Sequence, residues 1–321
     1  MDIVPIVFAI DENVIIPCGV TITSLLLNAK PETHYDINIL YSHSSLTDAG
    51  RHLITTCFES WPSCNVSFID VGSMYESAAL NSNGHITKAT YYRLQIPDLF
   101  PQYDKVIYSD VDIVFQQDLS SMFYSAINGD ELIAAVLDLS IDGKFYFNSS
   151  LPSSIGKSPR DYFNAGFLVL NTLQMRKEKI VQKFDDILAS GSHAENDQDI
   201  LNIACAGRTV LLPNKYNFQP NHFSNYMWGR DHPEIDFSEL FKSATIHYTG
   251  AAKPWNSYEC VSSDVWWSYY KKSPFYSDDF YFKQQQGLII TCRNEFHKVS
   301  SKRLIINLLS RIKASFLRKS S

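Results

Sequence analysis

Two acids interrupt an apolar run: Asp110 and Asp112 lie within Lys105–Phe115, "KVIYSDVDIVF". A segment this rich in β-branched and aromatic residues reads as a buried strand. Side chains alternate along a strand, so carboxylates at i and i+2 share a face, with Cα atoms roughly 6–7 Å apart. Unpaired carboxylates in a core are costly, so something positive is expected to meet them. The candidates are an ion pair with Lys105, the N–H groups of a turn, or a metal. Two hard oxygen ligands suit Mg²⁺ or Mn²⁺, ions that commonly bridge phosphate oxygens.

Positioning such a pair requires a frame, and the chain supplies one. "IVPIVFAI", "YDINILYS" and "VSFIDV" read as strands, and "PCGVTITSLLLNA" as a helix opened by Pro17. A helix around "ATYYRLQI", the 105–115 strand and the apolar run 131–139 continue the alternation, followed by a strand at 162–171 and a long helix at about 173–190. "NDQDILNIACAG" starts another helix with Asp197 near its N-terminus, where a negative charge is favourable. Strands alternating with helices predict an α/β fold with a mostly parallel central sheet. In such sheets the ligand crevice lies beyond the carboxyl ends of the strands, within reach of Asp110 and Asp112.

At 321 residues the chain has room for about two average domains, or for one large α/β domain with an appendage. With 45% hydrophobic and 19% charged residues it is ordinary globular material, without internal repeats. "MDIVPIVFAIDEN" lacks the basic n-region of a signal peptide, and no apolar run is long enough to span a bilayer, which predicts a cytoplasmic protein. The six cysteines are scattered without C-x-x-C spacing, so neither zinc nor a disulfide framework is expected. Residues 296–321 hold seven Lys or Arg and no acid, leaving a body with 21 basic against 34 acidic residues. In this tail Ile305, Leu308, Leu309, Ile312 and Phe316 recur at helical spacing among the cations. That is the pattern of a basic amphipathic helix lying on an anionic membrane surface, whereas the acidic body argues against nucleic acid.

Two metal-dependent reaction classes use a strand-borne D-x-D. Haloacid-dehalogenase-type phosphatases follow a strand with D-x-D-x-T/V, which "DVDIV" matches, with Asp110 as nucleophile and Asp112 as acid. That motif belongs on the first strand of its core, however, and three candidate strands precede this one. In GT-A type transferases the pair holds a metal on the diphosphate of a nucleotide sugar. "FAIDEN", "TYYRL", "DVD", "FNAGFLVLN", "NDQDILN", "KYNFQP" and "IHYTGAAKPW" occur in that order. Together they resemble glycosyltransferase family 8, and within it the bacterial lipopolysaccharide and lipooligosaccharide α-galactosyl- and α-glucosyltransferases. The resemblance runs from about residue 3 to 256 and includes the basic tail.

The resemblance implies a GT-A fold and a retaining transfer of galactose or glucose from a UDP-hexose to a lipid-linked or lipopolysaccharide-core saccharide. It implies Mn²⁺, with Mg²⁺ as the alternative ion, bound by Asp110, Asp112 and His247. Lys253 and the backbone near Gly250 and Val111 would meet the diphosphate, and Ala9, Asp11 and Asn13 the uridine. Where the family usually has an aromatic to stack on uracil, this chain has Val14. Arg93, Asn164, Asp197 and Gln198 would hold the donor sugar. The bland alternatives are an N-cap for Asp11 or Asp197, a turn for Asn164, a core ion pair for Arg93, a surface lysine for Lys253, and a non-catalytic sugar-binding protein for the whole. The expected division is a catalytic domain at 1–256, an aromatic-rich segment at 257–295 and a membrane-associating tail at 296–321, which places the enzyme on the inner face of the cytoplasmic membrane. The polar stretch 140–160 and "FQPNHFSNYMWGRD" (218–231) are expected to close over the donor and form the acceptor site.

Overall fold

The computed structural model describes residues 2–78, 87–139, 161–191, 193, 195–222, 240 and 242–292. The 140–160 stretch, residues 223–231 of the expected acceptor segment and the 296–321 tail lie outside the described residues.

Nine strands are described: β1 (Asp2–Ala9), β2 (Thr33–Tyr41), β3 (Cys64–Asp70), β4 (Val106–Ser109), β5 (Ile113–Val114), β6 (Ile133–Leu137), β7 (Phe163–Leu170), β8 (Thr209–Leu211) and β9 (Ile246–His247). Seven form one sheet in the order β3-β2-β1-β4-β7-β6-β8, and β5 pairs with β9. Every pairing in the large sheet is parallel except the two made by β7. Proline is tolerated within β1 for a local reason. Asp2 and Ile10 donate to Glu32 O and Leu40 O, so alternate N–H groups face β2 and position 5 faces the other side. There, β4 begins to pair only at Ile6, and the missing N–H of Pro5 breaks no ladder bond.

Apolar side chains cover both faces of the sheet, as a sheet flanked by helices requires. Phe8, Ile37, Ile39 and Phe167 pack with α1 (Ile15–Leu27) and α2 (Asp48–Phe58) on one side. Val7, Leu40, Val106 and Leu168 face Tyr91, Leu94 and Phe184 on the other. The aromatic-rich C-terminal segment is packed onto the body: Trp266, Trp267 and Tyr270 join Val114, Ile246 and Tyr248 in a third cluster. No described helix is long and apolar enough to cross a membrane.

Three local expectations change. The 105–115 run is not one strand: β4 ends at Ser109, and the chain turns through Asp110–Asp112 into β5, which leaves the large sheet for β9. Helix α1 secures this turn, with the Thr21 hydroxyl 2.7 Å from both Val111 O and Ile113 O, and Ser24 accepting from Phe115 N–H. The segment 88–95 forms a 3₁₀ helix that continues into α3 (Ile96–Leu99), and α4 (Ser120–Ser125) follows β5. The long helix at 173–190 is two, α5 (Thr172–Lys177) and α6 (Ile180–Ala189), separated by Lys179 at φ +54°.

Candidate active site

The site forms where strands end. β1, β4 and β6 deliver Ala9, Asp110 and Asp138 at or just past their carboxyl ends. Because β7 runs the opposite way, its beginning reaches the same edge and places Asn164, Ala165 and Gly166 beside them. Helix α7 (Asp197–Ala204) directs its first turn at this edge, and the β5–β9 pair closes the far side, setting His247 opposite Ile113. A cavity of about 640 Å³ opens there, lined by all thirteen residues proposed from the sequence.

Asp110 and Asp112 each have a cationic partner, and neither is Lys105, which donates to Tyr124 O instead. Asp110 Oδ1 accepts from Arg93 Nη2 at 2.8 Å and from the Tyr108 hydroxyl at 2.9 Å. Asp112 Oδ2 is bound by the Lys253 ammonium, which also donates to Tyr248 O at 2.7 Å. Burial acts to raise the Asp112 pKa, but Lys253 and His247 together hold it well below the usual carboxylate range.

His247 Nε2 lies 3.2 Å from Asp112 Oδ1 and 3.8 Å from Asp110 Oδ2. One ligand atom from each of Asp110, Asp112 and His247 falls within 4.8 Å of the other two. The donor set of two carboxylates and one imidazole fits a divalent ion such as Mn²⁺. Two further observations agree. Asp112 Oδ1 is buried without a hydrogen-bond donor. The space beside the three groups is kept by Gly166, where a Cβ would stand 2.1 Å from His247 Cε1 and 2.8 Å from Asp110 Oδ2.

Arg93, almost fully buried, ties this corner to the α7 side of the cavity. Its guanidinium lies over the Tyr108 ring at 4.2 Å, donates to Ala165 O and bridges Asp110 to Asp197, whose Oδ2 is 3.1 Å from Nε. Burial pushes the Asp197 carboxyl up to about 6 against the opposing pull of Arg93 and the Thr90 hydroxyl. Asp197 does not cap its helix, since Asn196 occupies the N-cap. Asn164 lies within β7 and is not a turn residue. Gln198 accepts from Ala165 N–H at 2.9 Å and donates to Asp138 Oδ2 at 3.0 Å. Asp11 does cap the short 3₁₀ helix Glu12–Val14, accepting from Asn13 N–H, while also lining the cavity with Val14. Gly250 adopts φ +79°, a conformation that suits glycine, as the chain turns toward Lys253.

Asp138, Gly166, Thr90, Tyr108 and Asn217 were not selected from the sequence. A glycine inside a strand is a signal of close approach, and an acid just after the apolar run 131–137 is a signal of a strand's carboxyl end. Either rule finds its residue when applied to "FNAGF" and "ELIAAVLDL".

Comparison with known proteins now decides the family. The profile of "Glycosyl transferase family 8" matches residues 5–259. The chain belongs to glycosyl transferase family 8. Over 280 residues it is 25% identical to an Escherichia coli K12 protein named lipopolysaccharide 1,2-glucosyltransferase, an alignment covering 85% of this chain and 79% of that one. It is 27% identical over 260 residues to a Salmonella typhimurium lipopolysaccharide 1,3-galactosyltransferase, covering 79% and 73% of the two chains. The crystal structure of the galactosyltransferase LgtC with donor and acceptor sugar analogues superposes with a TM-score of 0.70 at 24% identity, covering 87% of this chain and 99% of LgtC, a likeness of fold. The fold of this family 8 member is thus the GT-A type. Membership makes the chain an enzyme of glycosyl transfer and removes the phosphatase and non-catalytic alternatives for "DVDIV".

Proposed function

We propose that the chain is a retaining hexosyltransferase that moves galactose or glucose from a UDP-sugar to a saccharide acceptor of lipopolysaccharide or a related surface glycan, forming an α-linkage. Mn²⁺ is the ion of this reading, with Mg²⁺ as the alternative. The observation that carries it is the convergence of Asp110, Asp112 and His247 in one cavity with Lys253 and the polar groups of β7 and α7. The two relatives named as lipopolysaccharide glucosyl- and galactosyltransferases support the acceptor class and the hexose.

In this reading Ala9, Asp11 and Asn13 receive the uridine, and Val14 leaves the base without an aromatic partner on that side. Lys253 offers its ammonium, and Val111 and Gly250 their backbone, to the diphosphate. A divalent ion held by Asp110, Asp112 and His247 supplies Lewis-acid stabilisation of the charge that grows on the departing UDP. Asn164, Asp197 and Gln198 surround the hexose, where paired polar groups discriminate between hydroxyl epimers. Arg93 holds Asp110 and Asp197 in mutual register.

Retention needs either a covalent intermediate or attack on the face the leaving group vacates. An amide is a poor nucleophile, and both ends of the Gln198 amide are engaged by Ala165 and Asp138. Gln198 therefore orients and stabilises, the acceptor hydroxyl attacks on the same face, and the departing phosphate takes its proton. The proposed catalytic unit is 1–256, followed by the aromatic-rich segment 257–295. The basic tail at 296–321 docks the enzyme on the anionic inner face of the cytoplasmic membrane, where each cation near the surface contributes about 1 kcal/mol.

The test is release of UDP from a panel of nucleotide sugars with Mn²⁺, with and without truncated lipopolysaccharide cores. Release from one UDP-hexose, accelerated by a core acceptor and abolished in Asp112→Ala, is expected. Failure to release UDP from any donor contradicts the proposal.

A further inference from the structure

A histidine can ligate a metal through Nε2 only if that nitrogen carries a lone pair, and an isolated imidazole does not decide which nitrogen is protonated. Here the decision is made two side chains away. The backbone N–H of Gly166 meets Asn164 Oδ1 at 2.9 Å, and that of Ala165 meets Gln198 Oε1 at 2.9 Å. Backbone N–H groups can only donate, so both amides must turn their oxygens to β7. Their NH₂ groups then reach Asp138 Oδ2, at 3.0 Å in each case.

Asn164 Oδ1 also receives a bond of 2.9 Å from Asn217, and only the Asn217 NH₂ can supply it. Asn217 is thereby left with its oxygen on the opposite side, 2.9 Å from His247 Nδ1. That oxygen requires a proton on Nδ1, which leaves Nε2 to face Asp112 and Asp110. Asn217 is fully buried and is not among the side chains lining the cavity, so its effect on a ligand passes through His247.

We propose that Asn217 is the positioning residue of the metal site, a buried amide held in one orientation by the β7 backbone that fixes His247 with Nε2 presented to a divalent cation. The inference rests on the metal-site reading of Asp110, Asp112 and His247. It adds that the site extends past its three ligands: the Asn217–Asn164–Gln198 ladder makes the imidazole proton and the sugar-facing amides parts of one hydrogen-bonded unit. Outer partners of this kind set ligand orientation and basicity.

The test measures Mn²⁺ affinity of the full chain by the electron paramagnetic resonance of free Mn²⁺, for wild type, Asn217→Leu and Asn217→Asp. Beside it, ¹⁵N–¹H imidazole spectra are recorded on the Mg²⁺-loaded wild type. Asn217→Leu is expected to weaken Mn²⁺ binding about 10–100-fold, and Asn217→Asp, which still accepts from Nδ1–H but no longer donates to Asn164 Oδ1, to recover part of the loss. The spectra are expected to show His247 protonated at Nδ1 and bare at Nε2. A folded Asn217→Leu that binds Mn²⁺ like wild type, or equal losses in the Leu and Asp variants, overturns the inference and leaves the metal site standing. A proton on Nε2 in the loaded wild type overturns it whatever the variants do. Absence of Mn²⁺ binding by wild type overturns it together with the reading on which it rests.

Discussion

The two sides of the site are held by different physics. On the β1–β3 side, Ile37 and Ile39 are fully buried between sheet and helix, and the loop after β1 lies over that core, joined to the loop after β2 through Glu12, which donates from its N–H to Ser45 O and accepts at its carboxylate from Thr47. On the β4–β7–β6 side, the groups facing the cavity are buried amides, carboxylates and an arginine, each fixed by hydrogen bonds to the next. A packed core loses stability when volume is removed, but the loss need not disturb the hydrogen bonds of a distant polar group. A hydrogen-bonded ladder tolerates neither a lost partner nor an added methyl, because an unpaired buried polar group costs its full desolvation. Evolution of donor preference is thus expected to proceed by changing the polar side as a unit.

Substitutions separate the two sides. The largest effect belongs to the metal corner: Asp112→Ala is expected to lower Mn²⁺-dependent transfer by about 1000-fold or more, measured as UDP release, and also to lower the melting temperature in differential scanning calorimetry because Lys253 loses its buried partner. Gly166→Ala is expected to do the same without removing any ligand, since its new methyl would displace His247 and Asp110. On the packed side, Ile37→Ala should cost about 2–5 kcal/mol of stability in urea titration while the surviving folded enzyme keeps its metal affinity. Loss of metal affinity in that variant would show that the two sides are not separable.

A smaller effect is expected of Gln198→Ala, a slowing of about 10–100-fold without abolition, as befits a group that orients by hydrogen bonding. Complete loss, equal to that of Asp112→Ala, would instead make Gln198 essential to the chemistry. The smallest effect is a slope in pH. Because burial raises the Asp197 carboxyl to about 6, the folded chain binds a proton more tightly than the unfolded one. Its contribution to stability is full below about pH 4, the unfolded pKa, and is lost as pH rises through about 6. Asp197→Asn should therefore gain stability relative to wild type between those values in urea titrations. A difference that does not change with pH would contradict the assignment.

The sequence made much of the packed side legible and less of the polar side, for a physical reason. Strands β1, β6 and β7 are apolar runs that burial explains, β2 and β3 alternate apolar with polar residues, and the alternation of these strands with helices indicates a parallel sheet. The reversal of β7 leaves no mark, because a strand buried on both faces has the same composition in either direction. β8 and β9 are three and two residues long, too short for periodicity, and the break between α5 and α6 falls at Lys179, a residue with no turn preference. The 105–115 run conceals a change of sheet because both of its halves are buried. The site residues that were found lie in motifs dense with charge or glycine. Asn217 stands in one such motif, "KYNFQP", but its role depends on a partner 30 positions away, a pairing that spacing does not reveal.

The central claim is that Asp110, Asp112 and His247 hold a divalent ion in the cavity that receives the donor. An anomalous difference map at the manganese edge, from crystals grown with Mn²⁺ and UDP, tests it most directly. The account predicts one strong peak ligated by those three side chains and in contact with the UDP diphosphate. UDP bound in the cavity with no peak there, or a peak held by other residues, would contradict it.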